Sequence, residues 1–233
     1  MPKISIHISC YNRSRMLREC VESFLAQTFQ DFEIIIVDDG SLDDLSFVAE
    51  MDSRVRFFKQ EHGGMAKGLN LAMDKSCGDY IMPFGSDDLA LPTLLEETLS
   101  ELESNPDFDV VYPDKWQQSI HGRIRSKSVQ YSHGKDYEKM LEQQYISHGG
   151  TLWKKDKCPR YDETVWSAED WELFLTAMEN GVKFKHIPKR LWIYKVGHPR
   201  EGNTQRQIWG CQRVLERRGY KFNIRTRHGE KNK

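Results

Sequence analysis

An α/β fold, one domain with a mixed but mostly parallel sheet flanked by helices, is what this sequence predicts, on three observations. Short apolar runs of strand length alternate with stretches of helical period through the first half of the chain. Two of those runs stop at an Asp-Asp pair, so polar groups collect where strands end. Finally, 233 residues suit one α/β domain, and an apolar content of 38% can fill its core.

Ile4, Ile6 and Ile8 alternate with Ser5, His7 and Ser9, which predicts a strand ending at the turn Cys10-Tyr11-Asn12. Leu17, Val21, Phe24 and Leu25 then share one helical face, with Ser14 available as a cap. The segment from Glu33 to Val37 is a continuous buried-strand run, and this β-α-β unit breaks off at Asp38-Asp39-Gly40-Ser41. Arg54 to Lys59 reads as a strand and Met65 to Lys75 as a helix. Tyr80 to Phe84 reads as a strand running into Gly85-Ser86-Asp87-Asp88. Pro92 suits the first turn of a helix whose inward face is Leu94, Leu95, Thr98, Leu99 and Leu102, and which Pro106 ends. Asp109 to Tyr112 is a further strand. Beyond about residue 115 the alternation weakens, although Glu169 to Asn180 is a helix closed by Gly181.

Charge narrows the partners. With 34 basic residues against 35 acidic ones, the chain has no general attraction for nucleic acid or an anionic membrane, and no nucleic-acid partner is expected. Five cysteines, an odd number without a C-x-x-C pair, fit reduced thiols in the cytoplasm. No apolar run approaches the roughly 18 residues that span a bilayer, and the reading includes neither signal peptide nor anchor. Residues 213–233 hold eight basic and two acidic side chains. They read as a basic, solvated tail, or else as a weak peripheral foothold on anionic lipid or a lipid-linked acceptor.

The first βα turn, Cys10-Tyr11-Asn12-Arg13-Ser14-Arg15, contains no glycine. It is therefore not a dinucleotide-binding G-x-G-x-x-G, and a Walker A loop is absent as well. What remains is a sheet edge bearing Ser9, Tyr11, Asp38, Asp39, Asp87 and Asp88, with hydroxyls, an aromatic face and four carboxylates. Carboxylates do not bind phosphate unaided. A hard divalent cation reconciles the two by taking oxygens from an aspartate and a diphosphate together. Each residue also has a plainer reading. Asp38-Asp39-Gly40-Ser41 alone is more often a turn, Lys67 a solvated helix charge, Tyr11 a packed aromatic, and Asp170 a carboxylate complementing a helix dipole. Trp153, Trp166 and Trp171 suit a sugar-stacking platform or the core.

The opening strand with Tyr11-Asn12, then Gln27-Thr28-Phe29, Asp38-Asp39, Gly64 to Asn70, Gly78-Asp79-Tyr80-Ile81 and Ser86-Asp87-Asp88, fall in a recognisable order and approximate spacing. In these the chain resembles the family 2 GT-A glycosyltransferases, especially the inverting enzymes of the spore-coat polysaccharide type. The resemblance covers residues 3–115 well and 145–200 more thinly. It implies a single GT-A domain over residues 1–212 with a Rossmann-like sheet. Residues 1–115 would form the nucleotide-donor half and 116–212 a smaller acceptor half, followed by the tail at 213–233.

By the same resemblance, Tyr11 and Asp39 hold the nucleotide base with Ser9 and Asn12 beside them, Asp87 touches the ribose, and Asp88 ligates Mn²⁺ or Mg²⁺. Asp170, in the Glu169-Asp170-Trp171 motif, is the catalytic base. Lys195, His198 and Arg200 of the late Tyr194 to Arg200 loop meet the diphosphate or the metal. Ser147-His148-Gly149-Gly150 lines the sugar pocket. Apart from the resemblance, Lys67 stands where the helix after Gly63-Gly64 begins, a place from which it can approach phosphate or base. The commonest family signature is D-x-D-D, and Gly85 stands where its first aspartate would be, leaving that carboxylate's role unfilled. The implied function is metal-dependent, inverting transfer of a sugar from a nucleotide-diphosphate sugar to a hydroxyl of a glycan or other acceptor. The resemblance favours UDP. The alternatives are a catalytically silent nucleotide-sugar-binding module and a sugar-phosphate nucleotidyltransferase, whose glycine-rich basic loop is missing here.

Overall fold

The structure, a computed structural model, describes residues 1–119, 124–127, 137–196, 204–223 and 228–231. Strand β1 (Ile4–Cys10) leads through helix α1 (Ser14–Leu25) to β2 (Phe32–Asp38), and β3 (Val55–Lys59) through α2 (Met65–Lys75) to β4 (Tyr80–Pro83). These four strands run parallel in the order β3-β2-β1-β4. Ile4, Ile6, Ile8, Ile34 and Ile36 bury one face of the sheet with Leu17, Val21 and Phe24 of α1. On the other face Ile35 and Val37 meet Ala72 of α2.

Ser5 and His7 of β1 are buried too, and each is satisfied. Ser5 Oγ donates to Glu33 Oε1 at 2.7 Å, and His7 Nε2 lies 2.9 Å from Ser76 Oγ. Burial pushes the His7 imidazole down to about 3, so it stays neutral in the fold.

The chain continues through β5 (Leu89–Ala90), α3 (Leu94–Ser104), β6 (Val110–Ser119), β7 (Ile124–Lys127), α4 (Tyr137–Glu142) and β8 (Leu152–Lys154). After α5 (Glu169–Glu179) and β9 (Phe184–Val196) it ends in α6 (Thr204–Glu216) and a hairpin of β10 (Tyr220–Asn223) and β11 (His228–Lys231). Strand β8 pairs antiparallel with both β4 and β6, and β9 lies parallel to β6 and antiparallel to β5. The described strands thus extend the parallel half into one mixed sheet, with β7 attached to β6. A second core forms beneath this half, where Trp153 packs against Phe174 and Phe184. Trp153 and Trp171 are core residues, whereas Trp166 is half-buried.

Some local expectations are corrected. Ser14 is the first residue inside α1 and makes no capping hydrogen bond with its side chain. Asn12, at φ +51°, turns the chain so that Arg13 takes the cap position. Pro92 precedes α3 instead of entering it, and its carbonyl accepts Thr28 N at 2.8 Å. Strand β6 runs past Tyr112 to Ser119, through a bulge at Pro113 to Lys115. The close of α5 is as expected: Val182 N donates to Ala177 O and Gly181 N to Met178 O, the Schellman pattern. The boundary at residues 212 and 213 falls inside α6. Beyond it Arg217 pairs with Asp162, and Arg218 pairs with Glu172 and Glu179. Those two cations are committed within the fold and do not belong to a solvated tail.

Candidate active site

Strand order reverses direction of growth between β1 and β4, and in open α/β sheets ligands settle at such a point, outside the carboxyl ends of the strands. Three segments meet there: Cys10 to Asn12 after β1, Asp38 to Ser41 after β2, and Phe84 to Asp88 after β4.

Asp39 is 2% exposed, yet its carboxylate is fully engaged. Oδ1 accepts Gln60 Nε2 at 2.7 Å and Gly63 N at 2.9 Å, and Oδ2 accepts Gly64 N at 2.8 Å. His62 Nδ1 lies 3.0 Å from both the Asp39 carbonyl and Oδ2. Asp39 therefore fastens the loop from Gln60 to Gly64. That loop presents His62 to Tyr11, ring centroids 4.4 Å apart, and Lys67 folds back over Gly63. Gly64, at φ +88°, lets the loop turn into α2, and a Cβ there would stand 3.2 Å from the Trp166 indole.

Neighbouring residues are spent on the turn itself. Asp38 Oδ1 accepts Ser41 N at 2.8 Å, and Asn12 Oδ1 accepts Leu42 N at 2.7 Å while its own N–H donates to Ser41 Oγ. Asp38 thus follows the plainer turn reading. Ser9 lies against α2 at Gly68, one residue short of the strand's end.

At the end of β4, Asp87 takes Arg13 Nη1 at 2.5 Å. Asp88 is buried, and its Oδ1 accepts the backbone N–H of Lys195 at 2.9 Å; the Lys195 ammonium goes to Glu19 at 2.6 Å. A Cβ on Gly85 would stand 2.6 Å from Asp88 Oδ2 and 3.2 Å from Asp87 Oδ1. Both carboxylates fold back over the space that the first side chain of D-x-D-D would occupy.

This cradle is the test of fit for a cation. Among the described residues no three His, Cys, Asp or Glu side chains converge, so the protein alone does not build a cage. The oxygen donors beside Gly85 instead suit an ion of the Mg²⁺ or Mn²⁺ type, which takes one or two carboxylates and completes its shell with phosphate and water.

The second half delivers its carboxylate at the start of α5. Asp170 is half-buried, Oδ1 accepting Trp171 N at 2.9 Å and Oδ2 accepting Gln144 Nε2 at 2.6 Å. Beside it Glu169 is buried, and desolvation pushes its carboxyl up to about 7. The segment leading to α5 is clamped to α2. Asn70 Nδ2 donates to Tyr161 O at 3.0 Å and Asn70 Oδ1 accepts Tyr161 N at 2.9 Å, while Trp166 covers Gly64. Gly149 and Gly150 lie against Trp192, with Cβ positions 2.9 and 3.0 Å from the indole, so their lack of side chains serves that packing. His198 and Arg200 lie outside the described residues.

The sequence reading missed Arg13, Gln60, His62 and Gln144. His62-Gly63-Gly64, a polar turn between a strand and a helix, was a usable signal; Gln144 offered none.

The fold and the carboxylates at its strand ends define a class, a GT-A type nucleotide-binding α/β domain. Over residues 5–158 the chain matches the family described as Glycosyl transferase family 2. The chain belongs to glycosyltransferase family 2. Chondroitin synthase of Escherichia coli is 31% identical over 196 residues, which is 81% of this chain and 28% of that protein. The glycosyltransferase EpsJ of Bacillus subtilis is 27% identical over 84% of this chain and 61% of its own length. A crystal structure of S. aureus TarS 1-349 in complex with UDP-GlcNAc superposes with a TM-score of 0.75 at 18% identity, covering 91% of this chain and 65% of that one, a likeness of fold. The chain thus spans between about a quarter and two thirds of these relatives.

Proposed function

We propose that this chain is a metal-dependent, inverting glycosyltransferase domain that moves a sugar from a UDP-sugar to a hydroxyl of a glycan. The observation that carries the proposal is the joining of two carboxylate stations. Asp88, folded over Gly85 after β4, belongs to the nucleotide half, and Asp170 belongs to a segment clamped onto that half through Trp166 and Gly64 and through Tyr161 and Asn70. Chondroitin synthase among the relatives and UDP-GlcNAc in the TarS complex support a polysaccharide acceptor and a UDP donor.

In this mechanism the Tyr11 and His62 rings and the Asp39-fastened loop receive the nucleoside, and Asp87 meets the ribose. Asp88 would hold an Mn²⁺ or Mg²⁺ ion, which would neutralise charge on the diphosphate. Asp170 accepts the proton of the acceptor hydroxyl as its oxygen bonds to the anomeric carbon. The bond to the diphosphate breaks on the opposite face, so the carbon inverts. We place the reaction in the cytoplasm. No helix among the described residues is long and apolar enough to cross a membrane, and the commitment of Arg217 and Arg218 to internal pairs removes two cations from any lipid foothold.

The test is a transfer assay with isotopically labelled UDP-sugars and an acceptor library, with Mn²⁺ and with chelator. Asp170→Asn is expected to lose about 10²- to 10⁴-fold in turnover while retaining UDP–Mn²⁺ binding. Asp88→Ala is expected to lose the response to Mn²⁺. Turnover by Asp170→Asn at the parent rate removes the base assignment, and unchanged activity of Asp88→Ala in chelator removes the metal.

A further inference from the structure

Asp170 is gripped from a part of the chain that carries no motif. Helix α4 ends at Glu142, and two residues later Gln144 reaches across to place its Nε2 at 2.6 Å from Asp170 Oδ2. The same amide nitrogen also lies 3.3 Å from the carbonyl of Ile146. Both neighbours accept hydrogen bonds and neither can donate, so the –NH₂ side of the amide, with its two donors, must face them.

The approach is braced on both sides. Trp171 Nε1 donates to Met140 O at 2.7 Å, and Tyr137 OH donates to Glu179 at 2.5 Å, tying α4 along the length of α5. After Gln144 the chain plunges inward at Tyr145 and Ile146, which are 6% and 1% exposed. Gln144 is thus a short polar outcrop between two fixed points, aimed at a carboxylate. Behind it His148 Nε2 lies 2.7 Å from Tyr161 OH, and burial holds its imidazole below the ordinary value while the Asp170 charge pulls the other way. Among the described residues, Gln144 is the side chain seen to donate to Asp170 Oδ2.

We infer that Gln144 is a positioning residue for the catalytic base: it holds Asp170 Oδ2 by a charge-assisted hydrogen bond and so sets the direction in which the carboxylate meets the acceptor hydroxyl. The inference rests on the reading of Asp170 as base. A carboxylate free to rotate spends less time in the attacking geometry, and a misplacement of about 1 Å costs about 10²-fold in rate. The role is felt in kcat and not in donor binding, because the hydrogen bonds seen for Gln144 among the described residues go to Asp170 and Ile146, neither of them assigned to the nucleotide.

The experiment compares Gln144→Met, which keeps length but removes both donors, with Gln144→Glu, which keeps shape but sets a second carboxylate against the first. Transfer from labelled UDP-sugar gives kcat and KM, thermal melts with and without UDP–Mn²⁺ report folding and donor binding, and Asp170→Asn is run in parallel. The expected result is a fall in kcat of about 10- to 100-fold for Gln144→Met and a larger one for Gln144→Glu, with donor KM and the UDP-induced shift unchanged within twofold. A role in packing alone would leave the isosteric Gln144→Glu near the parent. Parent-like kcat in both variants overturns the inference, as does a fall in kcat matched by loss of UDP binding. Parent-like turnover in Asp170→Asn is a different failure, that of the base assignment itself.

Discussion

Replacing Asp39 with asparagine separates holding a loop from holding a ligand. Three donors, Gln60 Nε2, Gly63 N and Gly64 N, converge on the two oxygens of a carboxylate that is 2% exposed. An asparagine keeps one of those oxygens. In one orientation its –NH₂ faces Gly64 N, and in the other it faces Gly63 N and Gln60 Nε2, so at least one half-buried donor always meets another donor. Hydrogen bonds to a charged group contribute about 1.5 to 3 kcal/mol each, and an unmet buried donor costs about 1 to 3 kcal/mol. A net loss of about 2 to 4 kcal/mol follows, which for a chain of this size lowers the thermal midpoint by about 5 to 15 °C. The assay is a thermal melt at pH 7 paired with a UDP titration. Release of the loop also takes His62 from Tyr11, so UDP affinity should fall at least about tenfold with the midpoint. Asp38→Asn is the control. Its carboxylate holds Ser41 N and a lysine that is 62% exposed, and its effect should stay near about 1 kcal/mol. A midpoint for Asp39→Asn within about 1 °C of the parent would show that the loop supports itself, and the anchor role would be refuted.

Two further outcomes follow from the same geometry. Gly85→Asp restores the first carboxylate of D-x-D-D, yet its Cβ falls 2.6 Å from Asp88 Oδ2, so transfer activity should drop by about tenfold or more at saturating Mn²⁺; a gain in rate would overturn the reading of Gly85 as space for Asp88. Glu169, raised to about 7 by burial, keeps its proton in the native state at pH values where the unfolded chain releases it. Stability is therefore lost as pH rises from about 4.5 to about 7, and Glu169→Gln should flatten that decline and gain about 1 to 3 kcal/mol at pH 8. Urea midpoints at several pH values check this, and parallel curves for parent and variant would contradict it.

The elements legible in the sequence are those that bury a continuous face. Met65–Lys75 has the bounds its periodicity predicts, and the strands over Ile4–Cys10 and Phe32–Asp38 stop where aspartate or a turn replaces isoleucine and valine. Strands β5 and β8 span two and three residues and are defined by partners distant in the chain, Ile193 and Trp192 for one, Tyr80, Ile81, Val110 and Val111 for the other, so no local pattern announces them. The far half of β6, from Lys115 to Ser119, is half-buried throughout and so lacks alternation.

The site divides along the same line. Carboxylates at strand ends are visible one residue at a time, but what each one holds is not, because the partner is a backbone amide or a single side chain supplied by another turn of the fold. Lys195 N reaches Asp88 across 107 positions, and Gln144 reaches Asp170 from a polar run that looks like any exposed helix end. Gly85 shows the consequence most clearly. Compared with D-x-D-D as a string, it is a missing ligand; measured as volume, it is the space into which Asp88 turns its carboxylate. A departure from a motif therefore says little about chemistry until the room it opens has been assigned an occupant. Here that occupant is another member of the same motif, which ties the residue at 85 to the orientation of Asp88 and makes the two positions one unit under substitution.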